Sequence, residues 1–218
     1  MLIVVVAVEK EAQAIGAIDG AQIVIAGVGR TNAASATTEA ILNAWKRAGG
    51  GGIDGVISAG IGGALPAENN DETLKIGETI VASSCIYAEE GIITARGFAG
   101  MEALGFPLGD FAGNAVPVDE ELLDRLSGTF RIGPIATVAT CSGTADAARE
   151  VVRRTGALAE AMEGAAVVHA ARRLKVPAIE IRAISNTTGD RTQQVWDLQA
   201  GLEALGRAAR EATTLLVS

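Results

Sequence analysis

The chain has 218 residues, enough for one large domain at the usual ~150 residues per domain. Apolar residues make up 49% and charged residues 20%, a balance that excludes disorder and allows a sizeable core. Acids outnumber bases 26 to 18, giving a net charge of −8. That argues against a protein that grips a nucleic-acid backbone, where a basic face supplies most of the affinity, and in favour of a small-molecule partner. Four Phe, two Trp and one Tyr leave the core to Ala, Val, Ile and Leu.

Leu2–Val8 (LIVVVAV) reads as a buried strand. It is too short for a membrane span of ~20 apolar residues. With no basic segment before it and Glu9-Lys10-Glu11 behind it, it is not a signal peptide. Those acids suit a helix N-terminus, where the macrodipole favours negative charge. Gln22–Ala26 is the second strand, and Gly27-Val28-Gly29-Arg30 a turn into a helix over Thr31–Ala48. A lone G-x-G after the second strand is weak as a dinucleotide signature. Gly49–Gly52 ends that helix. Gly55–Ala59 is a third strand, and Ser58-Ala59-Gly60-Ile61-Gly62-Gly63-Ala64 reads as a glycine-rich turn that lets a ligand touch backbone.

Further strands are expected at Glu78–Ala82, Ile135–Thr140 and Ala178–Ser185. Helices are expected at Glu120–Leu126 (with Asp119 as N-cap), Ala145–Arg154, Met162–Leu174 and Leu198–Leu216. Strands that are apolar throughout, separated by helices, predict a sheet covered on both faces in one α/β/α domain spanning residues 1–218. Ligands of such sheets sit beyond the strands' carboxyl ends. Two features there are site-like. Glu163 lies among small residues, where a carboxylate is costly to bury unless something donates to it. Arg182-Ala183-Ile184-Ser185-Asn186-Thr187-Thr188-Gly189-Asp190-Arg191 leaves a β-rich strand with a dense polar cluster. Met162 and His169 on their own read as packing. With two cysteines, Cys85 and Cys141, and one His, the expectation is buried thiols in a reducing cytoplasm, with no metal site.

These residues together resemble the nucleoside phosphorylase/nucleosidase superfamily. The resemblance rests on M-E-G-A-A at 162–166, I-S-N at 184–186, the S-A-G-I-G-G segment and the acidic loop after the first strand. The hydrolytic branch that includes methylthioadenosine/S-adenosylhomocysteine nucleosidase is similar in layout. R-A-I-S-N, G-D-R and Trp196-Asp197-Leu198 resemble most its futalosine-hydrolysing members. The resemblance implies a three-layer α/β/α sandwich around a central twisted mixed sheet, and it implies roles. Glu11 would orient the attacking water, and Met162 and Glu163 would hold the ribose. Asn186 stands where adenosine-type enzymes have an acid that hydrogen-bonds the base. Gly60, Ile61 and Gly62 would line the pocket, with Trp196 as its aromatic lid. Arg96 and Phe98 would reach into the neighbouring subunit's site, so a homo-oligomer, dimer or higher, is expected. No cofactor is implied.

Asn186 cannot transfer a proton, but its amide offers two donors, which suit N7 and a 6-oxo group. That fits a hypoxanthine nucleoside such as futalosine. Phosphorylases of the superfamily carry Gly and Arg on the first loop to bind phosphate. Glu9 and Glu11 stand there instead, with Lys10 as the counterweight, so water is the expected nucleophile. Arg96 or Arg191 could pair with the carboxylate on the futalosine tail. The alternatives are a methylthioadenosine/S-adenosylhomocysteine or other purine nucleosidase, a non-catalytic nucleoside-binding protein and, least favoured, a Rossmann oxidoreductase.

Overall fold

The structure, a computed structural model, describes residues 1–49, 52–67 and 73–217. In chain order its elements are β1 (Leu2–Val6), α1 (Glu9–Ile15), β2 (Ala21–Ile25), α2 (Arg30–Ala48), β3 (Gly55–Ala64), β4 (Thr79–Tyr87), β5 (Gly91–Thr94), β6 (Gly97–Gly100), α3 (Met101–Leu104) and β7 (Ala115–Pro117). They continue with α4 (Glu120–Ser127), β8 (Arg131–Thr137), α5 (Ala145–Thr155), β9 (Ala159–Ala161), α6 (Gly164–Arg173), β10 (Ala178–Thr187) and α7 (Leu198–Val217).

The main sheet is mixed and runs β10-β4-β8-β9-β3-β1-β2, with β7 on β4. Because β10 also pairs with β3, five of these strands close into a ring, while β1 and β2 extend from it in parallel. The right-handed twist of strands accumulates across a sheet and brings distant strands together in this way. The five residues of β1 are all buried, as are the first nine of β10. β1 therefore reads as an unbroken apolar run, whereas β10 buries Glu180 and Arg182 among its apolar residues. Helices cover both faces. Gly164 at the start of α6 lies against the Glu180 side chain, and Gly201 of α7 lies against Ser185. Residues 180 and 185, an odd number apart on β10, point to opposite faces. The buried core is aliphatic, Tyr87 and Phe130 being its aromatic members.

The expected helices all form, with ends within one residue except at 162. Asp119 caps α4 by accepting from the Leu122 amide at 3.1 Å. Gly49 ends α2 in the left-handed conformation, φ 68°; Gly50 and Gly51 lie outside the described residues. The strands differ more. The glycine-rich 58–64 segment is not a turn: β3 runs unbroken to Ala64, and positive φ occurs at none of Gly60, Gly62 and Gly63. Their small size is used for close approach of neighbouring side chains. β1 stops at Val6 and the acids open α1. β4 continues to Tyr87, whereas β8 starts at Arg131 and stops at Thr137. The expected helix start at Met162 is displaced to Gly164 because Ala159–Ala161 pairs as β9 between β3 and β8. Cys85 is buried as expected, but Cys141 is exposed, and both thiols are free.

Candidate active site

A cavity of about 540 Å³ opens where β1, β3 and β10 end, a size suited to a small organic ligand. Glu11, Ile61, Gly62, Gly63, Glu160, Met162, Glu163, Asn186 and Trp196 all line it. The turn of α1 carries Glu11 inward. One oxygen, Oε2, accepts the amides of Ala7 and Val8 at 2.9 and 3.2 Å, and Oε1 accepts that of Ile61 at 3.0 Å. Three of the four lone-pair directions of the carboxylate are thus taken, and one on Oε1 stays open. Backbone donors from just after β1 and from within β3 fix this carboxylate in place.

Glu163, at the N-cap of α6, accepts the Gly29 amide on Oε1 at 3.0 Å. Its Oε2 stands 3.5 Å from Nη1 of Arg182. Arg182 is fully sequestered, 1% exposed, and donates from Nε to Glu180 at 2.8 Å and from Nη2 to the Ser58 hydroxyl at 3.0 Å. Burial opposes its charge. The carboxylates of Glu180, Glu163 and Glu11 outweigh burial and hold its pKa above the ordinary arginine value. Gly60 makes this arrangement possible: a Cβ there would lie 2.2 Å from Arg182 Nη1 and 2.8 Å from Glu11 Oε1.

At the other end Glu160 accepts the Ser142 amide on Oε1 at 2.8 Å and the Ser142 hydroxyl on Oε2 at 2.6 Å. Burial pushes the Glu160 pKa up, against these two bonds that lower it. Asn186 accepts from the Ser185 hydroxyl and donates one amide hydrogen to the Thr187 carbonyl at 3.0 Å. The register of β10 on β3 slips between Ile184 and Asn186. This bulge turns Asn186 onto the face of Gly63, a common use of an extra residue beside a site. Cys141 also lines the cavity. Partial desolvation at the cavity wall first, then the charges of Glu160, Glu163 and Glu89, raise its pKa, which disfavours the thiolate and makes it a poor nucleophile.

The rim is formed by Trp196, whose indole donates to Gln194 at 3.0 Å and lies under the Arg191 guanidinium, 4.8 Å from the ring centroid. Gly60 does not line the cavity; its part is the space it leaves. Glu9 is also away from it, exposed and bonded to Gln13, so of the two first-loop acids only Glu11 faces the site. Lys10 likewise does not line the cavity. Arg96 and Phe98 lie on the β5–β6 hairpin, outside this chain's own cavity, with Arg154 stacked 4.3 Å over the Phe98 ring. His169 packs edge-on against Phe111 and Tyr87.

Glu160, Ser142 and Glu180 were not singled out in the sequence as functional; Ser58 and Gly63 appeared there only within the glycine-rich segment, and Arg182 only as part of a polar strand end. A signal existed for one pair: Glu180 and Arg182, two apart in an apolar strand, must share a face. Glu160 carried none, since its place depends on a three-residue strand.

The profile of the phosphorylase superfamily matches residues 7–218. The chain belongs to this superfamily. It is 36% identical to the futalosine hydrolase of Streptomyces coelicolor over 206 residues, 92% of this chain and 81% of that one. The futalosine hydrolase of Thermus thermophilus is 32% identical over 190 residues, 84% of this chain and 77% of the relative. Among solved structures, Helicobacter pylori futalosine hydrolase superposes with a TM-score of 0.73 at 18% identity, covering 99% of this chain and 96% of that one. A methylthioadenosine/S-adenosylhomocysteine nucleosidase from Neisseria meningitidis gives a TM-score of 0.72 at 18% identity, covering 99% and 97%. These two likenesses establish the shared fold, a mixed α/β architecture around a central mixed sheet. Among the described residues, no group of three or more His, Cys, Asp or Glu is placed to hold a metal ion, and no helix is long and apolar enough to cross a membrane.

Proposed function

We propose that the protein hydrolyses the N-glycosidic bond of futalosine, releasing hypoxanthine and dehypoxanthine futalosine on the route to menaquinone. The observation that carries this reading is Glu11, a carboxylate clamped by three backbone amides with one lone pair open toward the cavity. A water held there is oriented by a fixed acceptor and loses its proton to it as it attacks the anomeric carbon. The sugar passes through an oxocarbenium-like state. Glu163 keeps one lone pair free on each oxygen beyond Gly29 and Arg182, enough to accept the ribose hydroxyls and to favour the positive charge developing beside them. The second amide hydrogen of Asn186 supports the departing base as it gains electrons.

Three carboxylates line the cavity, Glu11, Glu160 and Glu163, against one cation, Arg191. That balance disfavours a phosphate dianion and supports water as the nucleophile. Trp196 and Arg191 at the rim suit the aromatic carboxylate on the 5′ side of futalosine. The same reading takes the protein as a cytoplasmic homo-oligomer in which the hairpin bearing Arg96 and Phe98 completes a neighbour's cavity; Ile92 and Ile93 on that hairpin are 45% and 79% exposed. Incubation with futalosine in phosphate-free buffer, followed by chromatography of the products, tests it. Free hypoxanthine is expected, and intact futalosine after prolonged incubation would reject the reading.

A further inference from the structure

Gly63 of β3 is flanked by Glu160 on β9 and by Asn186 on β10, in register on both sides. Residues paired across strands share a face, and strands lie about 4.8 Å apart. Glu160 and Asn186 therefore stand on either side of a slot about 10 Å wide at the backbone. Gly63 puts no side chain into that slot. A Cβ there would lie 2.9 Å from the Thr188 methyl, 3.0 Å from Asn186 Nδ2 and 3.6 Å from Glu160 Cγ, so the side chains of Asn186 and Glu160 both border the space beside this glycine, with Thr188 closing a third side. The side chains are 4% and 8% exposed, and both line the cavity.

Each group keeps hydrogen-bonding capacity. Ser142 occupies one lone pair on each Glu160 oxygen, leaving the second on each. Asn186 uses one amide hydrogen on the Thr187 carbonyl and has another. The slot thus presents a donor on one side and a carboxylate acceptor on the other. A 6-oxopurine presents the complement along one edge: N7 and O6 accept, and N1–H donates. A 6-aminopurine reverses the last two, with a donor at N6 and a bare lone pair at N1.

We propose that Glu160 reads the base. Its carboxylate accepts N1–H of a 6-oxopurine while the one remaining amide hydrogen of Asn186 is shared between N7 and O6, and the two together reject 6-aminopurines. The inference rests on the proposed function for placing a purine nucleoside in this cavity, and it adds the residue that selects which purine. Against adenine, the N1 lone pair would face a carboxylate and the N6 hydrogens would face an amide donor. Mispaired buried polar groups of this kind discriminate strongly. A buried carboxylate with only serine donors also gains from a third, which the N1–H supplies.

Calorimetric binding of free hypoxanthine, 1-methylhypoxanthine and adenine to the full-length protein tests this without any turnover. The wild type is expected to bind hypoxanthine roughly 10- to 100-fold more tightly than either other base, the worth of a hydrogen bond to a charged group. E160Q, whose amide can donate to N1, is expected to shrink the hypoxanthine-to-adenine ratio at least about tenfold. Equal affinity of the wild type for hypoxanthine and adenine would overturn the proposal even if the variant failed to fold. So would an E160Q protein that loses affinity for all three bases by one common factor, since Glu160 would then only anchor the Ser142 loop. A futalosine assay run in parallel separates the two readings. The base ratio without futalosine cleavage upholds the base reader and removes the substrate; cleavage with an unchanged E160Q ratio removes the base reader alone.

Discussion

The two ends of the cavity hold buried carboxylates in different ways. At the end proposed to hold the sugar, Glu11 is fixed by backbone amides just after β1 and within β3, and Glu163 is fixed by the Gly29 amide and a guanidinium. That guanidinium is itself locked between Glu180 and Ser58. At the base end Glu160 is held by the amide and hydroxyl of a single loop residue, Ser142. Backbone donors cannot be changed by point substitution, and side chains can. The comparison teaches that the Glu11–Glu163 end is tied to donors from several separate elements, whereas the carboxylate at the Glu160 end depends on one loop residue.

The sharpest way to break the comparison is at the sugar end. Glu11→Gln is expected to lower kcat by about 10²–10⁴-fold while calorimetry still registers hypoxanthine binding. Undiminished kcat would remove Glu11 as the base. Next in size is Arg182→Met, which leaves Glu180 and Glu163 without their buried cation. Breaking such a pair costs about 3–5 kcal/mol. At about 2–4 °C per kcal/mol for a domain of this size, Tm should fall by roughly 6–20 °C; an unchanged Tm would show that the pair is not a structural tie.

At the base end the effects should be smaller. Gly63→Ala brings a Cβ to 3.0 Å from Asn186 Nδ2 and 2.9 Å from the Thr188 methyl. Overpacking of this kind costs about 1–3 kcal/mol, expected as a raised KM with a smaller change in kcat. Acidification acts on Glu160, whose pKa burial raises. Below that pKa the group is an O–H donor and no longer accepts N1–H, so the preference for hypoxanthine over adenine should narrow as pH falls. The same titration of E160Q should be flatter, with the neighbouring Glu89, Glu163 and Cys141 common to both proteins. The smallest effect is expected for Trp196→Ala at the half-exposed rim, about 0.5–1.5 kcal/mol, read as a several-fold rise in KM at constant kcat.

Much of this was legible in the sequence because its signals are local. An unbroken apolar run marked β1, a β-rich run ending in a polar cluster marked β10, Asp119 marked a helix start, and a carboxylate among small residues marked Glu163. Gly60–Gly63 misled for the same reason. Glycine clusters read locally as turns, but here the glycines answer to groups from other strands, the Arg182 side chain at Gly60, the Glu160 carbonyl at Gly62 and the Asn186 side chain at Gly63. Glu160 was hidden because it becomes a site residue only when β9 pairs with β3 and Ser142 closes over it. Glu9 looked equivalent to Glu11 in the sequence, yet the first turn of α1 sends one acid into the cavity and the other to solvent. Long-range register separates these cases, and composition does not record it.

The central claim is that water, held by Glu11, is the nucleophile. Running the futalosine reaction in heavy-oxygen water, with phosphate first absent and then added, tests it most directly. The account predicts hypoxanthine release at the same rate in both, with the heavy oxygen on the anomeric carbon of dehypoxanthine futalosine. A sugar phosphate product, or release that depends on added phosphate, would contradict it.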